Sequence, residues 1–359
     1  TANFGRYLFV SLAFLAPLYA AGLAEWTGSR TSLTAAGVVT IMLGLALFAL
    51  LGVLRPAYGT PRMLSLKDVR TCAEPTDIRF GESIRLVGKD VSTRRTLPGH
   101  QIEVTLCWEA LRTMDENYVT FVHLLGQEER IVGARNTHPG LGRYPTRRWA
   151  SGDRFCDVID LEVNEDAPAP AVYSIEVGWH EPGEERRLPA YAPDGAPQGL
   201  VLIDRLKVAP EDYPTIAVPR RLNADLGGEI TLLGYEIERT DVMAGDSLDV
   251  TLFWRAEAPP ADNYSVFLHL AAESGPPVAQ DDDQPQDGTY PTSFWDVGEV
   301  VPDTRTIHIP PDLPAGDYVL VTGLYVLETG RRLPHVDRDG VVQGDSVPLD
   351  TVTVRAGDS

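Results

Sequence analysis

The chain has 359 residues, with 31 lysines and arginines against 51 aspartates and glutamates, a formal net charge of −20 at pH 7. Hydrophobic residues at 43% and charged ones at 23% exclude wholesale disorder, and the acidity excludes a nucleic-acid binder, which needs a basic face for phosphates. At roughly 150 residues per domain, the length allows about two domains and something more.

Residues 1–70 hold six basic groups (Arg6, Arg30, Arg55, Arg62, Lys67, Arg70) and two acids (Glu25, Asp68), so the whole negative excess lies downstream. Such a split fits an anchor followed by an acidic, water-facing body. Two uncharged runs, 7–24 and 31–54, are each long enough for a helix to cross ~30 Å of hydrocarbon at ~1.5 Å per residue. They are read as a transmembrane hairpin filling residues 1–56 and turning at Glu25–Arg30. Pro17 kinks the first helix, and Tyr7, Tyr19 and Trp26 sit at the interfaces. A signal peptide is the rival reading of the first run, because Arg6, Leu8–Leu18 and Ala20-Ala21-Gly22 match its three regions. Counting lysine and arginine near the spans would put the body in the cytoplasm, although long domains translocate largely regardless of charge.

A linker over 57–75 leads into an internal repeat. Ile84-Arg-Leu-Val-Gly88 matches Ile230-Thr-Leu-Leu-Gly234, and Val104-Thr-Leu-Cys-Trp108 matches Val250-Thr-Leu-Phe-Trp254. Asn117-Tyr118 with Phe121-Val-His123-Leu124 matches Asn263-Tyr264 with Phe267-Leu-His269-Leu270, and Tyr144-Pro-Thr146 with Trp149 matches Tyr290-Pro-Thr292 with Trp295. All these pairs are offset by 146; Arg186-Arg-Leu-Pro189 and Arg331-Arg-Leu-Pro334 follow at 145. The body is therefore two copies of one domain, 76–208 and 226–356, joined by a Pro-rich, charged linker over 209–225.

Each copy reads as strands. Ile102, Val104, Leu106 and Trp108 alternate with Gln101, Glu103, Thr105 and Cys107, and Leu248, Val250, Leu252 and Trp254 with Ser247, Asp249, Thr251 and Phe253, the period of a strand with one buried face. Segments 118–125 and 264–270 are apolar on both faces, as central strands are. Pro-Gly, Ala-Gly and Asp-Gly turns punctuate the copies, and no long amphipathic helix is visible. The expected fold is mostly β: two tandem antiparallel β-sandwiches, jelly-roll-like, behind an α-helical membrane hairpin.

Signatures for zinc proteases, CxxC sites, phosphate loops and serine hydrolases are absent. Cys72, Cys107 and Cys156 are odd in number and unrepeated, so they are read first as incidental packing, with Cys107 and Cys156 the pair to test. His123 and His269 are read as hydrogen-bonded structural histidines, since no nucleophile recurs beside them. Tyr144, Trp149, Tyr290 and Trp295 lie in the long loop of each copy. Exposed, they would stack on a sugar ring; packed, they would pin the loop to the sandwich. Asp281, Asp282 and Asp283 with Asp287 offer hard oxygen ligands for Ca²⁺, against the plainer reading of a solvated acidic loop. No other cofactor is expected.

The series Leu-x-Val-Thr-Leu-x-Trp, Asn-Tyr-x-Val-Phe-x-His-Leu, Gly-x-Tyr-Pro-Thr-x-x-Trp and Arg-Arg-Leu-Pro, seen at 248–334, resembles a known module. It is similar to the extracytoplasmic C-terminal domain of bacterial membrane glycosyltransferases related to the dolichyl-phosphate-mannose protein mannosyltransferases. The resemblance implies an outward-facing body, but not the reaction, whose site in those enzymes is built from many helices. The first copy departs from it at Cys107, Gly133 and His180. The combined expectation is a non-catalytic protein integral to the cell membrane, with its tandem sandwiches extracytoplasmic. Its partners would be the lipid bilayer, other membrane-protein subunits and a glycan or glycolipid. The alternatives are the C-terminal part of a polytopic lipid-linked-sugar glycosyltransferase, or a purely structural subunit of an unrelated membrane complex.

Overall fold

A computed structural model describes residues 21, 22, 25, 28, 31–54, 59–183, 186–273, 275–337 and 339–356. The expected first span, 7–24, lies outside the described residues except at Ala21 and Gly22, which are helical. The second span is a helix, α1 (Thr31–Phe48), continued by a π-helical turn over Ala49–Leu54. Within it, Ser32–Val53 is long and apolar enough to cross a bilayer, and the rest of the described protein covers none of it; a signal sequence has the same properties.

The segment expected as linker contains a short helix, α2 (Leu66–Cys72), so 57–75 is not wholly irregular. Ser65 and Asp68 form a capping box that satisfies two orphan amides at its start. Seven residues are too few to show a helical period, which is why the pattern was invisible. Val69 packs outward of the first sandwich against Val87 and Cys107. Gly88 makes that approach feasible: a Cβ there would lie 2.8 Å from Val69 Cγ1.

The first sandwich contains β1 (Glu74–Phe80), β2 (Ile84–Val91), β3 (Arg95–Thr96), β4 (Gln101–Ala110), β5 (Val119–Leu125) and β6 (Ile131–Thr137). It continues with β7 (Arg154–Glu162), β8 (Ala171–His180), β9 (Ala190–Tyr191), β10 (Pro197–Gln198) and β11 (Leu202–Val208). The second contains β12 (Arg220–Leu226), β13 (Ile230–Ile237), β14 (Asp241–Met243), β15 (Ser247–Ala256), β16 (Tyr264–Ala271) and β17 (Pro277–Asp283). It ends with β18 (Val300–His308), β19 (Gly316–Val326), β20 (Arg331–Arg332), β21 (His335–Val336), β22 (Val342–Gly344) and β23 (Val347–Arg355). The second copy thus begins at Arg220 rather than 226. Its first four residues are exposed, so no apolar alternation announced the strand.

In the first copy the sheets run β10-β9-β1-β2-β4-β7 and β3-β11-β8-β5-β6; in the second, β22-β21-β12-β13-β15-β18 and β14-β23-β19-β16-β17. Strands β2-β4-β7 and β6-β5-β8-β11 take the places of A-B-E and C′-C-F-G in an immunoglobulin-type sandwich. One short pairing per copy is parallel, β3 with β11 and β14 with β23; the other named pairings are antiparallel, as expected. Trp108 and Trp254 are fully buried, as their alternation requires, each in the hydrophobic core of its own copy, and Trp108 meets Trp179 edge-on at 4.8 Å.

Candidate functional site

The Tyr-Pro-Thr loop has one construction in both copies. Pro145 and Pro291 each lead into a single 3₁₀ turn, Thr146–Arg148 and Thr292–Phe294. The buried threonine clamps it: Thr146 Oγ1 accepts from Tyr118 N at 2.9 Å, and Thr292 Oγ1 accepts from Tyr264 N at 2.9 Å. Trp149 Nε1 donates to Tyr144 O at 2.8 Å, and Trp295 Nε1 to Tyr290 O at 3.1 Å. Each tyrosine hydroxyl donates to an acid nine residues on, Tyr144 to Asp153 at 2.6 Å and Tyr290 to Glu299 at 2.5 Å. Burial first and Asp153 second push the Tyr144 hydroxyl up to about 12. All four rings are buried, so these side chains hold the loop to the sandwich and offer no open face for stacking on a sugar.

The second copy's loop does more than hold itself. Lys207, buried on β11 of the first copy, places Nζ 2.5 Å from Glu299 and 3.1 Å from Asp296 of the second. Arg95 Nε reaches Asp296 at 2.9 Å, and the Tyr213 hydroxyl donates to the same carboxylate. Burial pushes the Asp296 carboxyl up, but the hydrogen bonds from Tyr213, Arg95 and Lys207 outweigh it and hold it below the usual range. Arg205 donates to the carbonyls of Gly288 and Thr289 at 3.1 and 3.3 Å. Arg94 and Arg205 also stand over the Phe294 ring, at 5.7 and 5.8 Å. Beside this junction runs a groove of about 410 Å³, lined in part by Gln127, Arg130, Tyr173, Gln286, Thr289 and Tyr290. The expected site residue Tyr290 therefore borders a groove between the sandwiches, while Tyr144 and Trp149 stand in the equivalent loop of the first copy.

The four aspartates do not converge. Asp281 Oδ2 accepts from Thr306 N at 3.0 Å, Asp282 meets His269 Nε2 at 2.8 Å, and Asp283 Oδ1 accepts from Gln284 N at 2.6 Å. Along a strand successive side chains alternate faces, which separates Asp282 from its neighbours. Asp287 lies beyond the strand at positive φ. Among the described residues no group of three or more His, Cys, Asp or Glu is placed to hold a metal ion.

Sequence reasoning missed the outer face of the β5 and β16 sheets. Phe121 lies over Gly178 and Phe267 over Gly323, where a Cβ would come within 2.2 and 2.5 Å of the ring. Arg187 and Arg332 stand over these rings, at 4.7 and 4.2 Å from the centroids. His123 Nδ1 stands 3.2 Å from buried Glu176, which also takes Arg187 at 2.5 Å. The signal was present in the repeat, since phenylalanine, glycine and arginine all recur in register. Cys107 and Cys156, opposite each other on β4 and β7, are joined as a disulfide, so the reading as incidental packing is corrected.

No family model matches the chain, and no curated protein does. Among solved structures it is similar to the CARDB domain of the PF1109 protein of Pyrococcus furiosus, solved in complex with di-metal ions. That likeness has 10% identity and a TM-score of 0.22, over 37% of this chain and 96% of that one. It is also similar to red sea bream transglutaminase at 10% identity and a TM-score of 0.21, over 78% of this chain and 32% of that one.

Proposed function

We propose that this is a non-catalytic, membrane-anchored protein whose two sandwiches lie outside the cytoplasm and act as one rigid scaffold in a membrane assembly. The observation that carries the reading is the buried Lys207–Glu299 bridge, which fixes one sandwich on the other. Interfaces between domains of one chain are otherwise mobile by default. The disulfide supports an oxidising compartment, because cytosolic thiols are kept reduced. The exposed apolar helix supports the anchor. The site for a glycan or glycolipid is the groove between the sandwiches, where the exposed side chains of Gln127 and Arg130 offer donors to sugar hydroxyls. Alkaline carbonate extraction of membranes, followed by protease digestion of intact cells, tests this. The protein should stay in the pellet and its body should be cleaved from outside; release into the supernatant, or full protection, refutes it.

The repeated string from 248 to 334, standing behind an apolar helix, favours a second reading as the outer tail of a lipid-linked-sugar glycosyltransferase. Co-purification of sugar-transfer activity from a lipid-linked donor with the native protein would support that alternative.

A further inference from the structure

The two Tyr-Pro-Thr loops share a backbone and differ in chemistry. Gly140, Leu141 and Gly142 have φ of 62°, 52° and 85°; their counterparts Gln286, Asp287 and Gly288 have 52°, 54° and 74°. Aspartate tolerates the left-handed region, but for leucine it is costly. Leu141 nevertheless occupies it, and the residue is 49% exposed. Residues 138–152 contain Arg143, Arg147 and Arg148 and no acid, whereas 284–298 contain Asp287 and Asp296 and no base. Within a chain of net charge −20, an exposed leucine held in the left-handed region, in a loop with three arginines and no acid, is an anomaly.

The repeat suggests what it faces. The second loop docks on the element before it in the chain, the first sandwich, through Thr289, Phe294 and Asp296. What precedes the first sandwich is the apolar helix and the segment after it. That segment already meets the first loop, since a Cβ on Gly140 would lie 3.4 Å from Pro61 Cγ, and it is tied to the start of β7 just beyond, where Leu64 N donates to Arg154 O at 2.7 Å. Pro61 is seven Cα steps beyond Leu54, a reach of at most ~25 Å, so the loop lies within that distance of the end of the helix.

We propose that Leu141, Arg147 and Arg148, with Arg62 and Lys67, form a surface that rests on the anionic headgroups of the same bilayer that holds α1. The arginines pair with lipid phosphates and Leu141 enters the headgroup layer. Tyr144 and Trp149 set the loop's shape from beneath, and Arg148 stands 5.9 Å over the Tyr144 ring. This inference rests on the membrane-anchored reading above.

The test is amide hydrogen exchange of residues 138–149 in the full chain, in nanodiscs of phosphatidylcholine with or without phosphatidylglycerol. The variants are Leu141→Asp and the double Arg147→Ser, Arg148→Ser. The aspartate and the first serine copy the second loop, Arg148→Ser replaces an exposed side chain, and all three should fold. With phosphatidylglycerol, wild-type exchange should slow by roughly fivefold for each arginine engaged, and high salt and both variants should abolish the effect. Equal exchange in both lipids, or equal slowing in the variants, overturns the proposal while leaving the anchor intact. Failure of the chain to enter nanodiscs at all overturns the anchor and, with it, this surface.

Discussion

Lys207 of the first sandwich and Glu299 of the second meet at 2.5 Å, with the lysine side chain 2% exposed and the glutamate 0%. A buried pair of this kind says little about net stability, because desolvation offsets much of the attraction, but it penalises any arrangement that separates the partners. Lys207→Ala should cost about 3–5 kcal/mol by stranding the acid. Lys207→Met with Glu299→Gln should cost less than the sum of the single changes, since glutamine still accepts from Tyr290. Urea midpoints of the four proteins check this double cycle.

Asp296 gives the junction a pH dependence. Its carboxyl is held below the usual range, so the native state favours the ionised form. The resulting stability is present above the ordinary carboxylate value and lost as pH falls through the depressed one. The stability difference between wild type and Asp296→Asn should therefore shrink steadily below about pH 4, as followed by denaturant titration. A constant difference down to pH 2 would remove the carboxylate from the argument.

Asp157 works in the opposite sense. It is buried and accepts from Gly140 N at 2.8 Å; burial pushes it up to about 6 despite that bond and nearby Arg143. A raised carboxyl binds more protons folded than unfolded, so stability falls as pH rises from about 4 to 6. In the second copy Asp303 has Arg305 at 2.9 Å beside it, whereas the first copy has Ile159 at that place. Asp157→Asn keeps an acceptor for Gly140 and should stabilise the protein by about 1–3 kcal/mol at pH 7 and by nothing at pH 3.

Gly178 and Gly323 have no room for a methyl group under their phenylalanines. Gly178→Ala should destabilise by about 1–3 kcal/mol through overpacking, and Phe121→Ala in the same chain should relieve the clash. Thermal midpoints of the three proteins give the answer.

Reduction of the Cys107–Cys156 bond, or the double change to alanine, should lower stability by about 2–4 kcal/mol, as expected for a link between residues 49 apart. The loss should appear in the first sandwich alone when unfolding is followed by proteolysis.

The sandwiches were legible because burial of one strand face leaves a period of two, and because the repeat showed the same pattern twice. Trp108 and Trp254 were read correctly as core from that period alone. The junction was not legible, since nothing local marks Lys207 or Glu299 as partners. Its trace lies where matched positions change charge: Lys207 and Arg95 pair in register on β11 and β3, while Thr353 and Asp241 pair on β23 and β14. The helix α2 escaped because a single buried side chain, Val69, makes no pattern. The tyrosines and tryptophans of the long loops were found by composition, but sequence could not tell an exposed ring from one pinned by Asp153 or Glu299.

The rigid tandem body is tested most directly by the distance between nitroxide labels at Glu103 and Asp249, with Cys72 replaced by serine, measured by pulsed electron resonance in the membrane-embedded full chain. A single narrow distribution in wild type that broadens in Lys207→Ala is the predicted result. A broad distribution in wild type would mean that the two sandwiches move independently, and the scaffold reading would fail.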